Sequence, residues 1–182
     1  MFVDHTLETA PEASRPALRA TRDKFGFIPS AMARLAESPS VVAGFGRLMA
    51  AWDSCSLDPL EREVVTFAVA HDAGCEVCMA IHSQILSTTV GDQPLLEALR
   101  AQSPLTDPRL ESLRRFTRQV LDTKGDVPPS ALSSFLSHGF TRQQALDVVL
   151  GVGLYTLSTY ANRLTQATLD PPLSPFAWSK TG

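Results

Sequence analysis

The sequence predicts an all-α protein, and three observations indicate this class. Helix-start signals recur as Ser-Pro or Asp-Pro pairs at Ser38, Asp58 and Asp107, where the first residue can cap a helix and proline fits its first turn. Behind these signals, apolar residues recur at intervals of three and four, the spacing of one helix face. No segment alternates polar and apolar residues long enough to predict a strand.

Start and stop signals place the helices along the chain. Capping boxes, in which two side chains satisfy free backbone N–H groups reciprocally, are predicted at Thr9/Glu12, Asp58/Glu61 and Thr141/Gln144. Glycines at 26, 74, 91, 125 and 139 mark predicted helix ends. The predicted helices begin near residues 9, 29, 38, 58, 75, 92, 107, 128 and 142.

The last predicted helix is the longest and runs from about Arg142 to Leu169. Gly151 and Gly153 lie inside it, where they weaken the helix but allow another helix to approach closely. Pro171 and Pro172 end it. We expect one domain with a core at about 25–169, an N-terminal helical arm at 9–25 and an irregular tail at 170–182.

Composition limits the possible functions. The 182 residues are 44% hydrophobic and 19% charged, which suits one domain with a real apolar core. The net charge is −3 and basic residues are not clustered, so we expect no nucleic-acid partner. No signal peptide is visible, and the apolar segment Val148–Ala161 is shorter than the roughly 20 residues that span a bilayer. We therefore expect a soluble cytoplasmic protein without a membrane partner.

A cluster of reactive side chains follows the Asp58 helix, in the order Cys75, Cys78 and His82. A Cys-x-x-Cys in the reducing cytosol is typical of catalysis or metal binding. On one helix, His82 lies a turn from Cys78, with Cβ atoms roughly 5–6 Å apart, which makes it the natural base for that thiol. Cys75 lies at the helix N-terminus, where free N–H groups favour a thiolate. Spacing alone leaves the attacking cysteine open.

Glu63 is the fourth candidate for the site. Its helical neighbours Leu60, Phe67 and Ala70 are apolar, and an unpaired carboxylate on such a face is costly. His82 on the next helix can supply the partner. Glu63 could then accept protons in a relay.

The segment from Glu63 to His82 resembles the signature of the alkylhydroperoxidase D-like, or carboxymuconolactone decarboxylase, family. The match comprises an acidic residue twelve positions before a Cys-x-x-Cys-x-x-x-His. The flanking sequence agrees at Gly26-Phe27-Ile28-Pro29, at Leu35-Ala36-Glu37-Ser38-Pro39 and at Asn162. One position departs from the pattern, because Val77 stands where alkylhydroperoxidase D proteins have histidine and many relatives have tyrosine.

The resemblance implies an AhpD-like helical bundle with the Cys-x-x-Cys at the N-terminus of a buried helix. In the peroxidase branch, Cys78 would attack the hydroperoxide, Cys75 would resolve, and Glu63 with His82 would form the proton relay. No metal or organic cofactor is then required. An external dithiol, either a thioredoxin-like protein or a lipoyl-type donor, would reduce the disulfide. Family members usually oligomerise, and the apolar surfaces of Val41–Trp52 and Val148–Ala161 also favour a homo-oligomer, whether dimer, trimer or hexamer.

The predicted function is thus a thiol-dependent peroxidase that reduces hydroperoxides through a Cys75–Cys78 cycle. The alternatives are a decarboxylase-like enzyme of the same family and a redox-sensing module. A zinc site is a further rival, since two cysteines and a histidine are suitable ligands. Its fourth ligand could come only from Cys55, His71 or His138. We interpret His71 as structural, Cys55 as a free, inert thiol and His138 as a helix C-terminal residue. We expect His5 to lie in a mobile tail, and we assign none of the four residues to the site.

Overall fold

The helices of the computed structural model begin close to the predicted capping signals. The structure describes residues 1–180, and none of these forms a strand. Within them no helix is both long and apolar enough to cross a membrane. The helices are α1 (Arg15–Phe25), α2 (Ser30–Leu35), α3 (Pro39–Asp53), α4 (Pro59–Asp72), α5 (Glu76–Thr89), α6 (Gln93–Ala101), α7 (Pro108–Thr123), α8 (Pro129–Ser137) and α9 (Arg142–Thr165).

The capping box that begins α4 is confirmed. Asp58 Oδ1 accepts the Glu61 backbone N–H at 2.8 Å, and Glu61 Oε2 accepts the Asp58 N–H at 3.0 Å. Thr141 and Gln144 form the same pair of bonds at the start of α9. These contacts depend on residues close in sequence, which is why the sequence predicted them correctly.

The predicted N-terminal helix boundary was wrong. Thr9 does not cap a helix; a 3-10 turn at Glu12–Ser14 precedes α1, which begins at Arg15. Pro16 explains the difference, because a proline ring inside a helix clashes with the carbonyl four residues earlier and removes a hydrogen bond. It is tolerated in the first turn of α1, so the helix begins there.

The last helix ends four residues earlier than predicted. Gln166 adopts a left-handed conformation, with φ of 56°, and the Arg34 side chain donates to the carbonyls of Thr165 and Gln166. A side chain from α2 therefore satisfies the carbonyls at the end of α9, which no local signal predicted. Beyond it, the Asp170 carboxylate accepts the Ser30 N–H.

The C-terminal tail is less irregular than predicted and is tied to the bundle. It contains a 3-10 turn at Pro171–Phe176 that packs on α5. Arg100 donates to the carbonyls of Phe176 and Ala177, and the Trp178 indole donates back to the Arg100 carbonyl. The final two residues of the predicted tail lie outside the described residues.

The core is built around α4, which packs against α5, α7 and α9. This helix is buried along most of its length from Val64 to Ala70. Thr66 is the one polar side chain in that run, and it donates to the Arg62 carbonyl. The arrangement places the C-terminal end of α4, the N-terminal end of α5 and the second half of α9 side by side.

The close helix approach predicted at Gly151 is present. A Cβ at this position would lie 2.5 Å from Trp52 Cη2 and 3.0 Å from Val65 Cγ1, so α3 and α4 both approach the α9 backbone there. At Gly153 a Cβ would meet nothing within 4 Å. The prediction therefore holds at Gly151 and fails at Gly153, which faces outward.

Gly151→Ala should lower the free energy of unfolding by about 1–3 kcal/mol, because the added methyl group overpacks the contact with the rigid indole of Trp52. Chemical denaturation measures the effect. Gly46→Ala in α3 is the matched control, since a Cβ there has open space and alanine favours a helix. Equal stability of the Gly151 variant and the wild type would show that the indole moves aside.

Candidate active site

A tight turn between α4 and α5 positions the two cysteines. Gly74 adopts a left-handed conformation, with φ of 60°, and the Cys75 N–H donates to the Ala70 carbonyl at 2.9 Å. The chain thus leaves α4 and enters α5 within three residues. Arg163 of α9 donates to the Gly74 carbonyl at 2.8 Å, which ties the turn to the third helix of the site.

Cys75 is the N-cap residue of α5. Its sulfur accepts the backbone N–H of Cys78 at 3.4 Å, and both cysteines are buried, with 2% and 3% of their surface exposed. The hydrogen bond from the Cys78 thiol, reinforced by backbone N–H groups, lowers the pKa of Cys75 to about 7 against the opposing effect of burial. The same bond, together with burial, raises the pKa of Cys78. When the pair holds one negative charge, that charge therefore lies on Cys75 and the proton on Cys78.

Two polar side chains of α9 face the sulfurs. Asn162 Nδ2 lies 3.3 Å from Cys78 Sγ and 3.8 Å from Cys75 Sγ, and so can donate to either. Ser158 Oγ lies 3.8 Å from Cys78 Sγ. Both residues extend the site beyond the local cysteine motif.

Glu63 and His82 form a hydrogen-bonded pair across α4 and α5. His82 Nδ1 lies 2.8 Å from Glu63 Oε2, and both side chains are largely buried. The ring of Tyr155 meets the imidazole edge-on at a centroid distance of 5.2 Å. This contact between Glu63 and His82 is the one expected from the apolar neighbours of Glu63; the catalytic roles of both residues stay predictions.

Within residues 1–180, His82 forms no hydrogen bond with either sulfur. In this part of the chain Cys78 Sγ has the Cys75 sulfur and the side chains of Ser158 and Asn162 as partners, and no hydrogen bond joins it to the imidazole. Spacing on the helix places His82 on the same side as Cys78 but does not produce a hydrogen bond between the imidazole and the thiol. Any proton transfer between them needs a water molecule or the substrate as an intermediary.

A shallow depression of about 260 Å³ reaches the cysteine pair from the surface. Cys75 and Asn162 line it, together with Glu76, Arg163 and Gln166. Cys78 is not among the residues that line it. A reagent that enters by this route therefore meets Cys75 first.

Alkylation of Cys75 by iodoacetamide should rise with pH through a midpoint near 7, because the thiolate is the reactive form and the pKa of Cys75 is about 7. The fraction modified after short exposures can be measured by peptide mass spectrometry. Cys55 serves as the internal control. A Cys75 midpoint above 8.5, the range of a free thiol, would contradict the charge distribution described above.

The other cysteine and histidines lie apart from the pair. Within residues 1–180 no three or more His, Cys, Asp or Glu side chains gather closely enough to hold a metal ion. His71 packs against the Trp178 ring at 5.5 Å, and burial lowers its pKa. His138 is the C-cap residue of α8. His5, which was expected in a mobile tail, lies 2.9 Å from Glu37 Oε2.

Sequence spacing assigned no function to the polar side chains of α9 that lie at the site. Tyr155, Ser158 and Asn162 recur at intervals of three and four, which indicates one shared face. That pattern could have predicted a polar stripe directed at the site. Its partner on another helix could not have been identified from spacing.

Residues 31–119 match the family model named carboxymuconolactone decarboxylase family, which confirms the resemblance that the cysteine motif indicated. No significantly similar sequence is found among curated proteins.

Solved structures share the fold at low sequence identity. One is described as an alkylhydroperoxidase AhpD core, an uncharacterized peroxidase-related protein from Ralstonia eutropha JMP134. It has a TM-score of 0.83 and 20% identity over 94% of this chain and 93% of that one. A peroxidase-related protein from Silicibacter sp. TM1040 has a TM-score of 0.79 and 19% identity, over 94% and 92%. A variant of the debrominase Bmp8 in complex with 2,3,4-tribromopyrrole has a TM-score of 0.78 and 14% identity, over 97% and 95%.

Proposed function

From the match to the carboxymuconolactone decarboxylase family and the AhpD-like fold, we propose that this protein is a thiol-dependent peroxidase. It reduces hydroperoxides through a Cys75–Cys78 dithiol/disulfide cycle, with Glu63 and His82 as a proton relay. The observation that carries the proposal is the thiol pair itself: two buried sulfurs at the start of α5, one with its pKa lowered to about 7. A thiolate next to a second thiol is what peroxide reduction through a disulfide requires.

The chemistry of the cycle balances with the residues present. A thiolate sulfur attacks the outer oxygen of the hydroperoxide, the O–O bond breaks, and the departing alkoxide takes a proton to become an alcohol. The sulfur becomes a sulfenic acid, which the second cysteine attacks to form the disulfide and release water. An external dithiol then returns both sulfurs to the reduced state and is itself oxidised to a disulfide.

Cys78 is the attacking cysteine in the proposed order, as the family resemblance implies. The proton shared between the sulfurs can return to Cys75, and Asn162 at 3.3 Å then stabilises the charge on Cys78. His82 lies one turn along the same helix from Cys78, on the side from which a proton can be delivered. The lower pKa of Cys75 favours attack by Cys75 instead. The cysteine on which the sulfenic acid forms distinguishes the two orders of attack.

The Glu63–His82 pair supplies the proton in this proposal. If Nδ1 of His82 donates to the Glu63 carboxylate at 2.8 Å, Nε2 is the ring nitrogen left to exchange a proton with the substrate. The carboxylate also stabilises the imidazolium form. Both effects suit proton delivery to a departing alkoxide.

Peroxide consumption in the presence of dithiothreitol tests the function. We expect repeated turnover of an organic hydroperoxide by the wild type, accompanied by loss of two free thiols when the reductant is omitted. A decarboxylase-like enzyme would survive alkylation of both cysteines, whereas the peroxidase would not. A disulfide that forms and is reduced without repeated turnover would favour a redox-sensing module instead.

A homo-oligomer is also part of the proposal, supported by an apolar stripe on the outer face of α9. The stripe consists of Leu146, Val149, Leu157, Tyr160 and Leu164, and three of these are 65–74% exposed. We expect the wild type to sediment as a multimer and Leu164→Glu to shift it toward the monomer, because a charge on this face opposes its burial. Arg142→Glu, at the start of the same helix, is the charge control; a monomeric wild type would contradict the proposal.

A further inference from the structure

The two sulfurs of the site are stabilised by neutral groups. Within the described part of the chain, Cys75 Sγ accepts from the Cys78 backbone N–H and from Asn162, and Cys78 Sγ contacts Ser158 and Asn162. Among residues 1–180, no lysine, arginine or histidine side chain hydrogen-bonds either sulfur. A thiolate buried here therefore depends on oriented hydrogen-bond donors.

Of the side chains that the structure describes, Asn162 is the one that hydrogen-bonds both sulfurs. Only 7% of the surface of Asn162 is exposed, so the residue is 93% buried. Its amide nitrogen lies 3.3 Å from Cys78 Sγ and 3.8 Å from Cys75 Sγ. At these two distances the amide can donate a hydrogen bond to either sulfur after a small rotation of the side chain.

The backbone around Asn162 fixes its position relative to the cysteines. Its carbonyl accepts the Ala167 N–H at 2.9 Å in the turn that ends α9. The next residue, Arg163, donates to the carbonyl of Gly74, directly before Cys75. Helix α9 is thus joined to the α4–α5 turn beside the amide. A donor held in this way needs little reorganisation when charge develops on a sulfur.

The two cysteines differ in their other donors. Cys75 has the N–H groups at the start of α5. Cys78 lies one turn inside the helix, and once the Cys75 sulfur is bonded elsewhere its hydrogen-bond partners within residues 1–180 are Asn162 and the more distant Ser158. Charge on Cys75 therefore has other donors besides Asn162, whereas charge on Cys78 depends mainly on Asn162.

We propose that Asn162 is a catalytic residue whose side-chain amide stabilises the Cys78 thiolate that leaves when an external thiol opens the Cys75–Cys78 disulfide. The external thiol enters through the depression that Cys75 lines, and its thiolate attacks Cys75 Sγ. A bond forms between the sulfur of the reductant and Cys75 Sγ. The Cys75–Cys78 bond breaks, and its electron pair passes to Cys78 Sγ. The second thiol of the reductant then attacks the mixed disulfide and releases Cys75 as a thiolate.

This inference rests on the disulfide of the proposed cycle but on none of its peroxide chemistry. The disulfide can be formed by a chemical oxidant, and its opening by dithiothreitol can be followed by acid quenching, alkylation and mass spectrometry. A protein that opens its disulfide with the help of Asn162 and yet reduces no peroxide would support the inference and refute the peroxidase.

Asn162→Leu should slow the opening of the disulfide by about tenfold to a hundredfold at fixed pH and reductant concentration, because a hydrogen bond to the charged leaving group is lost. In the reduced protein, thiolate absorbance near 240 nm should appear at higher pH. Asn162→Asp keeps the shape of the side chain but replaces the donor with a carboxylate, so the opening should slow at least as much. Circular dichroism shows which variants remain folded.

Ser158→Ala is the matched control, because it removes a polar group 3.8 Å from the same sulfur on the same helix. Its effect on the opening rate should be smaller than that of either Asn162 variant. Wild-type opening rates and an unchanged thiolate titration in a folded Asn162→Leu or Asn162→Asp protein would overturn the proposal. A merely structural role for Asn162 would change thermal stability and leave the thiolate titration unmoved.

Discussion

Cys75→Ser and Cys78→Ser should each abolish repeated peroxide turnover, with a fall of about a thousandfold or more. The physical reason is that the cycle needs two sulfurs: one to cleave the O–O bond and one to convert the sulfenic acid to a reducible disulfide. Serine keeps the size and the hydrogen-bonding capacity of the side chain but cannot form a disulfide. The measurement is peroxide consumption with dithiothreitol as the reductant.

A single turnover separates the roles of the two cysteines. If Cys78 attacks, Cys75→Ser should still react once with peroxide and accumulate a sulfenic acid on Cys78, detectable by dimedone labelling and mass spectrometry. Cys78→Ser should then react slowly. The reverse pattern, with a fast sulfenic acid on Cys75, would assign the attack to the residue with the lower pKa. Cys55→Ser is the control, since Cys55 lies in the loop between α3 and α4 and takes no part in the proposed cycle.

Glu63→Gln should lower the peroxidase rate by about a hundredfold, the scale of general acid–base catalysis. Glutamine can still hydrogen-bond His82 Nδ1 across the 2.8 Å contact, so the geometry is retained. It lacks the charge that stabilises the imidazolium, and proton delivery to the alkoxide becomes slower. His82→Asn should reduce the rate to a similar extent, because the proton donor itself is removed.

The double variant gives the sharper result. If Glu63 acts through His82, the double variant Glu63→Gln/His82→Asn should lower the peroxidase rate no more than His82→Asn alone. The reason is that the effects of residues that work as a unit are not additive. Glu97→Gln, on the surface of α6, is the control for loss of one carboxylate. The relay would be refuted if Glu63→Gln left the peroxide rate untouched while the protein remained folded.

The match between predicted and observed helices reflects how local the governing forces are. Asp58 and Glu61 cap α4 through bonds that span three residues, and Gly74 ends it by adopting a left-handed conformation. Such contacts are fixed by neighbouring residues, so spacing is enough to predict them. The predicted end of α9 failed because Arg34, more than a hundred residues earlier in the chain, satisfies its last carbonyls.

The sequence by itself determined the all-α class, the position of Cys75 and Cys78 at the start of α5, and the approach of His82 to Glu63. These follow from local spacing and from the cost of leaving a carboxylate unpaired on an apolar face. Only the tertiary structure decided that Asn162 reaches both sulfurs and that Cys75 faces the surface depression. Both depend on where α9 crosses α4 and α5, which is set by packing at contacts such as Gly151 against Trp52. Local spacing carries no information about such a crossing, because the packed side chains come from distant parts of the chain.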